Sequence, residues 1–202
     1  GVLYNYDTTV LHTYPAGKTD TTFYVPESVR EIALGAFGGN TYIRHVYLPE
    51  SVEEIGNMAF VQCSNMVSVN IPANAVIEGN PFPWCPRLED VVVDSNNSHL
   101  RYIPSEQALV SFDGDTLYYK AMDFGTLTIP EGVRYIAPYA LAYHWKESEV
   151  VIREGVEELA RCAFFSISAR KVELPSALRI IGEECFAHCY HIARLDIQEG
   201  LE

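Results

Sequence analysis

The sequence predicts an α/β protein, folded as a right-handed solenoid with a parallel β-sheet on one face and short helical or 3₁₀ turns on the other. Three observations support this prediction. Aromatic and proline positions recur every 22 or 23 residues, alternating apolar residues precede most of the prolines, and an Asp-Gly pair lies between two apolar runs. The first two indicate stacked repeats, and the third indicates a β-hairpin insert.

Two columns of residues define the repeat. An aromatic or leucine column has steps of 23 and 22 residues in each of two blocks, and its members are Phe37, Phe60, Phe82, Leu141, Phe164 and Phe186. A second column, mostly proline, precedes it by 10 or 11 residues, at Pro26, Pro49, Pro72, Pro130, Arg153 and Pro175. Because both columns share one period, each unit must repeat the same local structure.

One unit can be followed from Val46 to residue 63. Val46 and Leu48 alternate with polar residues, as in a strand with one buried face. Pro49 ends the strand because it has no N–H for a continuing ladder. Gly56 would permit a tight bend, and residues 58–63 are expected to make one helical or 3₁₀ turn with Ala59 and Phe60 inward.

A single unit of this kind cannot bury its apolar face, so the units must stack. Stacking places each residue type on its own copy in the next unit and pairs the strands in parallel. The whole chain, 1–202, is therefore interpreted as one solenoid, with repeats at 23–93 and at 126–202.

Residues 94–125 interrupt the period. Pro72 and Pro130 are 58 residues apart, which is more than two units and fewer than three. Within this stretch Asp113-Gly114 lies between apolar runs, the strongest short-range signal for a hairpin. Residues 1–22 are interpreted as part of a second hairpin insert, with Leu3-Tyr4 equivalent to Leu117-Tyr118. The end at 199–202 matches the interior of a repeat, so the chain is expected to be a slice of a longer array.

Charge and the length of the apolar runs each make one class of partner unexpected. The formal net charge is −13, from 27 acidic and 14 basic residues, so the surface repels phosphate backbones and nucleic-acid binding is not expected. No apolar run approaches the roughly 18 residues that a membrane-spanning helix needs. We therefore expect no membrane insertion of this segment.

The repeat resembles a known family. The runs "LPESVEEIGNMAFVQCSNMVSVNIP", "IPEGVRYIAPYAL" and "LPSALRIIGEECFAHCYHI" are similar to the BspA-type leucine-rich repeat. The insert "DGDTLYYK" and the opening "GVLYNYDTTVLHTYP" resemble hairpins interleaved with such repeats. The sequence departs from the pattern at Ala33, Ala137 and Ala160, where glycine is usual, and at Asn80-Pro81.

The resemblance implies a place and a role. Such repeats occur mostly in large bacterial surface or secreted proteins, so an extracellular or cell-surface location is expected. The implied role is non-catalytic binding or adhesion to a protein or glycan ligand on a host, a matrix or another cell. A passive spacer in a larger surface protein is the remaining alternative.

The cysteines and histidines near the end of the chain allow two interpretations. Cys185, His188, Cys189 and His191 could bind zinc, since thiolate and imidazole suit that metal. However, Cys189 follows Phe186 by three residues, just as Cys63 and Cys85 follow their own phenylalanines. We therefore expect a structural column of buried thiols, with Cys63 beside Cys85, and neither a metal site nor a cofactor. No motif of an enzyme is present in the sequence.

The outward column of the predicted sheet is the candidate binding surface. Solenoids use this face because it is continuous and rigid. Its early rungs carry aromatic and basic side chains, and tyrosine and arginine are enriched in interface hot spots. Exposed tyrosines are also simply good strand formers. The candidate binding residues are Tyr24, Arg44, His45, Tyr47 and Asn70. The late rungs carry Lys171, Glu173, Arg194 and Asp196, which we interpret as a solubilising charge ladder.

Overall fold

The structure, a computed structural model, describes residues 1–122 and 125–195, without the side chains of residues 147 and 148. It contains short strands joined by turns. In chain order the strands are β1 (Leu3–Tyr4), β2 (Val10–Thr13), β3 (Thr22–Tyr24), β4 (Glu31–Ile32), β5 (His45–Tyr47), β6 (Glu54–Ile55), β7 (Ser68–Ile71), β8 (Val76–Ile77), β9 (Asp90–Val93), β10 (Leu100–Ile103), β11 (Ala108–Ser111), β12 (Thr116–Lys120), β13 (Gly125–Thr128), β14 (Tyr135–Ile136), β15 (Glu147–Val151), β16 (Glu158–Leu159), β17 (Lys171–Glu173), β18 (Ile180–Ile181) and β19 (Arg194–Leu195).

These strands form the stacked parallel ladders that the period predicts. On the main face the orders are β3-β5-β7-β9 in the first half and β13-β15-β17-β19 in the second. A second face has the orders β1-β2-β4-β6-β8 and β10-β11-β12-β14-β16-β18. The third side of each rung is made of turns. We call it the turn face.

The core consists of ladders of like residues. Phe23, Val46 and Val69 are register partners along the main face. Behind them, Phe37 and Phe60 stack with ring centroids 4.8 Å apart, and Phe60 and Phe82 follow at 5.5 Å. All three of these aromatic residues are fully or almost fully buried. The equivalence of units seen in the sequence is therefore an equivalence of positions in space.

The predicted helical or 3₁₀ turns are wrong: no helix occurs within residues 1–122 and 125–195. In the turn at residues 58–63, the N–H groups of Met58, Phe60 and Gln62 donate to carbonyls of the next rung, at 2.8–2.9 Å. Those of Ala59 and Val61 donate to carbonyls three residues earlier. Because Met58 and Gln62 have left-handed backbones, with φ of 56° and 61°, the chain cannot continue as a helix.

Gly56 has a different role from the one expected. Its φ is not in the left-handed region, so no bend requires glycine there. Instead, a Cβ at this position would lie 2.7 Å from the backbone nitrogen of Leu34 on the preceding rung. Glycine is needed for the close approach of two turns. Ala33 and Ala137 occupy the corresponding position in the units next to the hairpins, and their N–H groups bond to the carbonyls of Leu11 and Leu117 on hairpin strands.

The Asp113-Gly114 turn joins β11 to β12 as an antiparallel hairpin, and β10 pairs antiparallel with the outer side of β11. β12 then pairs in parallel with β14. The N-terminal strands repeat this arrangement, since β1 and β2 are antiparallel and β2 runs parallel to β4. The partners are Leu11 with Ile32 and Leu117 with Ile136. Leu117 is thus equivalent to Leu11. The predicted equivalence of Leu117 with Leu3 is wrong, because Leu3 lies on the outer strand β1.

The turn face continues directly across the insert. The N–H of Asn80 donates to the carbonyl of Pro138 at 3.0 Å, although the two residues belong to different halves of the repeat array. The Asn80 side chain adds bonds to the carbonyls of Tyr139 and Ala140. The insert therefore interrupts the main sheet but leaves the turns of the two halves stacked on each other.

Among the described residues there is no helix with the length and apolar character needed to cross a membrane. Asp196 of the predicted charge ladder and the repeat-like end at 199–202 lie outside the described residues. The insert boundaries at residues 22, 93 and 125 stay predictions.

Candidate ligand-binding face

The two tyrosines of the candidate site form a stacked pair on the main face. Tyr24 on β3 and Tyr47 on β5 are register partners, so their side chains leave the sheet side by side. Their ring centroids are 4.7 Å apart and the ring planes differ by 11°. The side chains remain open to solvent, with 70% of Tyr24 and 44% of Tyr47 exposed. The pair presents an exposed aromatic surface, and contact between the rings stabilises their stacked arrangement.

His45 and Arg44 border this pair. His45 starts β5 in register with Ser68, and its Nδ1 lies 2.8 Å from the Ser68 Oγ. The hydrogen bond fixes the imidazole against the sheet. Arg44 precedes β5 and is exposed, and within the described residues no ion pair involves it. The guanidinium is therefore available to a ligand beside a largely preorganised surface.

Asn70 is on the same face but is used for structure. Its Oδ1 accepts from the Leu48 N–H at 2.8 Å, and its Nδ2 donates to the Leu48 carbonyl at 2.7 Å. The amide thus replaces a strand partner for the backbone next to Pro49. Of the five predicted site residues, Tyr24, His45 and Tyr47 lie on the paired strands β3 and β5, Arg44 directly precedes β5, and Asn70 holds the adjacent backbone.

The late rungs of the main face carry charge pairs instead. The Lys171 ammonium lies 2.8 Å from a carboxylate oxygen of Glu149 on β15 and also contacts Glu173 on its own strand. These carboxylates raise the pKa of Lys171. The pairs are exposed, so they contribute little to stability. This end of the sheet presents compensated charge rather than an aromatic surface.

The predicted cysteine column forms, with each thiol bonded to a carbonyl of the preceding rung. Cys63, Cys85 and Cys189 donate to the carbonyl oxygens of Phe37, Phe60 and Phe164 at 3.2, 3.0 and 3.1 Å. Burial raises the pKa of Cys63 to about 12. Buried neutral thiols are poor nucleophiles and poor metal ligands, because both roles require the thiolate.

The four residues considered for zinc do not converge. Cys185 is buried and burial raises its pKa to about 12, whereas the His188 ring bonds to the Tyr190 hydroxyl. Among residues 1–122 and 125–195 no group of three or more metal-ligating side chains is arranged around a common point. Cys185 and Cys189 are members of the packed repeat.

An aromatic strip on the turn face is absent from the site predicted from sequence. Trp84 and Tyr143 meet edge to face at 5.4 Å across the insert, followed by Tyr143 and Phe165 at 5.6 Å. His188 lies against Phe165 at 5.0 Å and Tyr190 against His188 at 5.7 Å. Trp84, Tyr143 and His188 each come two positions after the aromatic core column, so this offset was the available signal.

Comparison with known sequences identifies the repeat. The sequence model described as "BspA type Leucine rich repeat region" matches six copies, over residues 17–107 and 114–202. These two ranges cover most of the chain. No curated protein matches.

Solved structures of bacterial proteins share the fold. A leucine-rich cell surface protein from Faecalibacterium prausnitzii is 26% identical, with a TM-score of 0.72 over 89% of this chain and 48% of that one. The pneumococcal vaccine antigen PcpA gives 22% identity and a TM-score of 0.67, over 79% of this chain and 40% of that chain. A leucine-rich repeat protein from Eubacterium ventriosum gives 19% and 0.60, over 85% and 58%.

The chain therefore spans about half the length of these solved proteins, and at most 58% of one. The likeness to PcpA and to the Eubacterium protein, at these identities, concerns the fold alone. The repeat columns, the stacked parallel strands and the six matched copies together show that the chain belongs to the BspA-type leucine-rich repeat family.

Proposed function

We propose that the chain is a non-catalytic binding module of a bacterial surface or secreted protein, and that it binds a protein ligand through the early rungs of the main face. The observation that carries the proposal is the exposed, stacked pair of Tyr24 and Tyr47. Its location on the same type of scaffold as a bacterial cell surface protein supports an extracellular setting.

The chemistry of the patch favours a protein over a glycan. Sugars stack on open ring faces, but here each tyrosine covers one face of the other at 4.7 Å. The outer faces of the pair, the ring edges and the hydroxyl groups remain exposed, and this mixture suits the apolar and hydrogen-bonding contacts of a protein interface. Arg44 adds a cation to the border of the patch, although the chain as a whole carries a charge of −13. An acidic or aromatic partner surface would complement it.

Binding to immobilised matrix proteins tests the proposal. The chain is passed over collagen, fibronectin and laminin, and in parallel over a glycan array. We expect saturable binding to a matrix protein that weakens at moderate salt and falls at least tenfold in Tyr47→Ala, since a hot-spot side chain contributes about 2 kcal/mol. Tyr6→Ala is the matched control, because Tyr6 is fully exposed away from the strands of the main face.

Each other outcome contradicts the proposal. Tyr47-dependent binding to glycans alone would identify a glycan-binding module. Absence of binding to both panels would favour a passive spacer. Equal losses in Tyr47→Ala and Tyr6→Ala would show that the stacked pair has no special role.

A further inference from the structure

The main sheet has a free edge in the middle of the molecule. β9 is the last strand of its sheet and pairs only with β7, while the next main-face strand, β13, starts a separate sheet. The insert causes this break, since β12 pairs with β14 on the second face rather than extending the main face. Within the described residues no strand pairs with the outer edge of β9.

The direction of the β9 backbone groups can be read from its bonds to β7. The N–H groups of Asp90 and Asp94 donate to carbonyls of the β7 rung, at 3.0 and 2.9 Å. In a parallel ladder, successive residues direct their backbone groups to opposite sides. The N–H and C=O of Val91 and Val93 therefore point to the free edge, and they are the groups that a further strand would bond.

A groove runs along this edge. β9 forms one wall of the groove, and Tyr102 of β10 and Pro104 form the opposite wall. The groove consists of two adjoining clefts of about 380 and 260 Å³, and these residues line both of them. Two apolar side chains in its lining are open to solvent: Val92 is 60% exposed and Phe112 is 58% exposed. A strand laid along β9 would remove part of this apolar surface from water.

The groove is also acidic. Glu89, Asp90 and Asp94 lie at the two ends of β9, and none of them is in an ion pair within the described part of the chain. Asp90 is close enough to the opposite wall to raise the pKa of Tyr102, in addition to the larger effect of burial. Arg101 also lines the larger cleft, where its guanidinium packs against Gly114 of the hairpin turn, so three carboxylates face one guanidinium in the lining of the two clefts. Charge complementarity therefore favours a basic ligand.

We propose that the free edge of β9 and its groove bind an extended segment of a partner protein as an added β-strand, and that this segment alternates apolar and basic residues. Main-chain hydrogen bonds to Val91 and Val93 provide affinity, and the exposed apolar side chains and the carboxylates select the sequence. A second copy of this chain is a poor occupant because each copy carries a net charge of −13. The site is separate from the Tyr24–Tyr47 pair and does not depend on the function proposed above.

Peptide backbone methylation tests the geometry directly. The probe is acetyl-Lys-Val-Lys-Val-Lys-Val-Lys-amide, and its affinity for the chain is measured by isothermal titration calorimetry. Two further peptides carry N-methyl groups either on the three valines or on the two internal lysines. An added strand directs only one of these sets toward β9, so one peptide should bind at least tenfold more weakly and the other should bind like the probe. Equal affinities for both methylated peptides would overturn the proposal.

Variants of the chain provide the second arm. Val93→Pro removes an N–H at the free edge without touching a bond to β7, whereas Val93→Ala keeps it. Probe binding should fall at least fivefold in Val93→Pro relative to Val93→Ala, and Asp90→Asn should weaken it at low salt. Wild-type affinity in a folded Val93→Pro protein would overturn the proposal. If that variant fails to fold, the methylated peptides decide.

Two controls distinguish binding at β9 from binding at the tyrosine pair and from self-association. Tyr47→Ala should bind the probe like the wild type, so failure of the proposed main-face function leaves this result unchanged. Sedimentation velocity measures self-association. A concentration-dependent dimer that Val93→Pro abolishes would show that the occupant is a second copy and would overturn the choice of a basic segment.

Discussion

Asn80 connects the two halves of the solenoid, and its replacement by alanine should weaken that connection. The side chain is 2% exposed and makes three hydrogen bonds. Nδ2 donates to the carbonyls of Tyr139 and Ala140 at 3.0 and 3.3 Å, and Oδ1 accepts from the Phe82 N–H at 2.7 Å. Asn80→Ala removes all three but keeps the backbone bond from Asn80 to Pro138.

The expected cost follows from what each partner loses. The Phe82 N–H becomes a buried donor without an acceptor, which costs about 1–3 kcal/mol. The two donated bonds contribute about 0.5–1.5 kcal/mol each. The free energy of unfolding should therefore fall by about 4 kcal/mol, a large fraction of the roughly 5–15 kcal/mol of a typical domain. Since solenoid stability depends on neighbouring interfaces, the loss should concentrate between the halves and make unfolding less cooperative.

Urea denaturation followed by circular dichroism measures both effects. Asn57→Ala is the matched control, because the Asn57 Oδ1 is buried without a hydrogen-bond partner and its removal should change stability by less than about 1 kcal/mol. The reasoning would be refuted if Asn80→Ala cost no more than Asn57→Ala, or if its transition remained as steep as that of the wild type.

Two other stability predictions follow from the core. Phe60→Ala should cost about 3–5 kcal/mol in urea denaturation, because Phe60 is fully buried between two stacked rings. Phe186→Ala should cost clearly less, since Phe186 is only partly buried, and equal costs would contradict the ladder. Burial raises the pKa of Cys63 to about 12 from an ordinary 9.0, so the unfolded thiol ionises first as the pH rises. Stability should be unchanged up to about pH 9 and then fall toward pH 12, by about 1.4 kcal/mol from this thiol at pH 10. Urea denaturation at pH 8 and 10 should show a smaller decline in Cys63→Ala, and an equal decline would contradict the assignment.

The ladders could be predicted from sequence because they depend on a pattern. Each inward residue must pack on its own copy one rung away, so Phe37, Phe60 and Phe82 had to recur at the repeat period. The turn conformation could not be predicted in the same way. Its left-handed positions are occupied by residues such as Met58 and Gln62, which have no special preference for that region. Bonds to the next rung stabilise the turn, and they exist only after stacking.

The insert shows a similar division. The Asp-Gly pair indicated a hairpin, but not how the hairpin would join the stack. At the N-terminus the equivalent turn contains no such pair. There the Asn5 Oδ1 accepts the N–H groups of Thr9 and Val10, in the role that the Ser111 Oγ has toward Thr116. The predicted match of Leu3 with Leu117 depends on a Leu-Tyr pair that occurs in both segments, but in β1 at the N-terminus and in β12 within the insert.

The candidate site was predictable only as a column. Period-2 alternation puts Tyr24, Tyr47 and Asn70 on one outward face, and the register of β3, β5 and β7 agrees with that placement. It could not show that the amide of Asn70 bonds to the Leu48 backbone, because that depends on Pro49 ending the ladder. It also could not show the free edge at β9. The break in period was visible, but the loss of a strand partner is a property of the assembled sheets.

Hydroxyl-radical footprinting of the chain with a matrix protein that it binds tests the central claim most directly, since aromatic side chains on both faces react with the radical. If the main face binds the ligand, oxidation should decrease at Tyr24 and Tyr47 and remain unchanged at Trp84 and Tyr190, which are exposed on the turn face. Protection of Trp84 and Tyr190, with Tyr24 and Tyr47 oxidised as in the free chain, would contradict the account and assign binding to the aromatic strip.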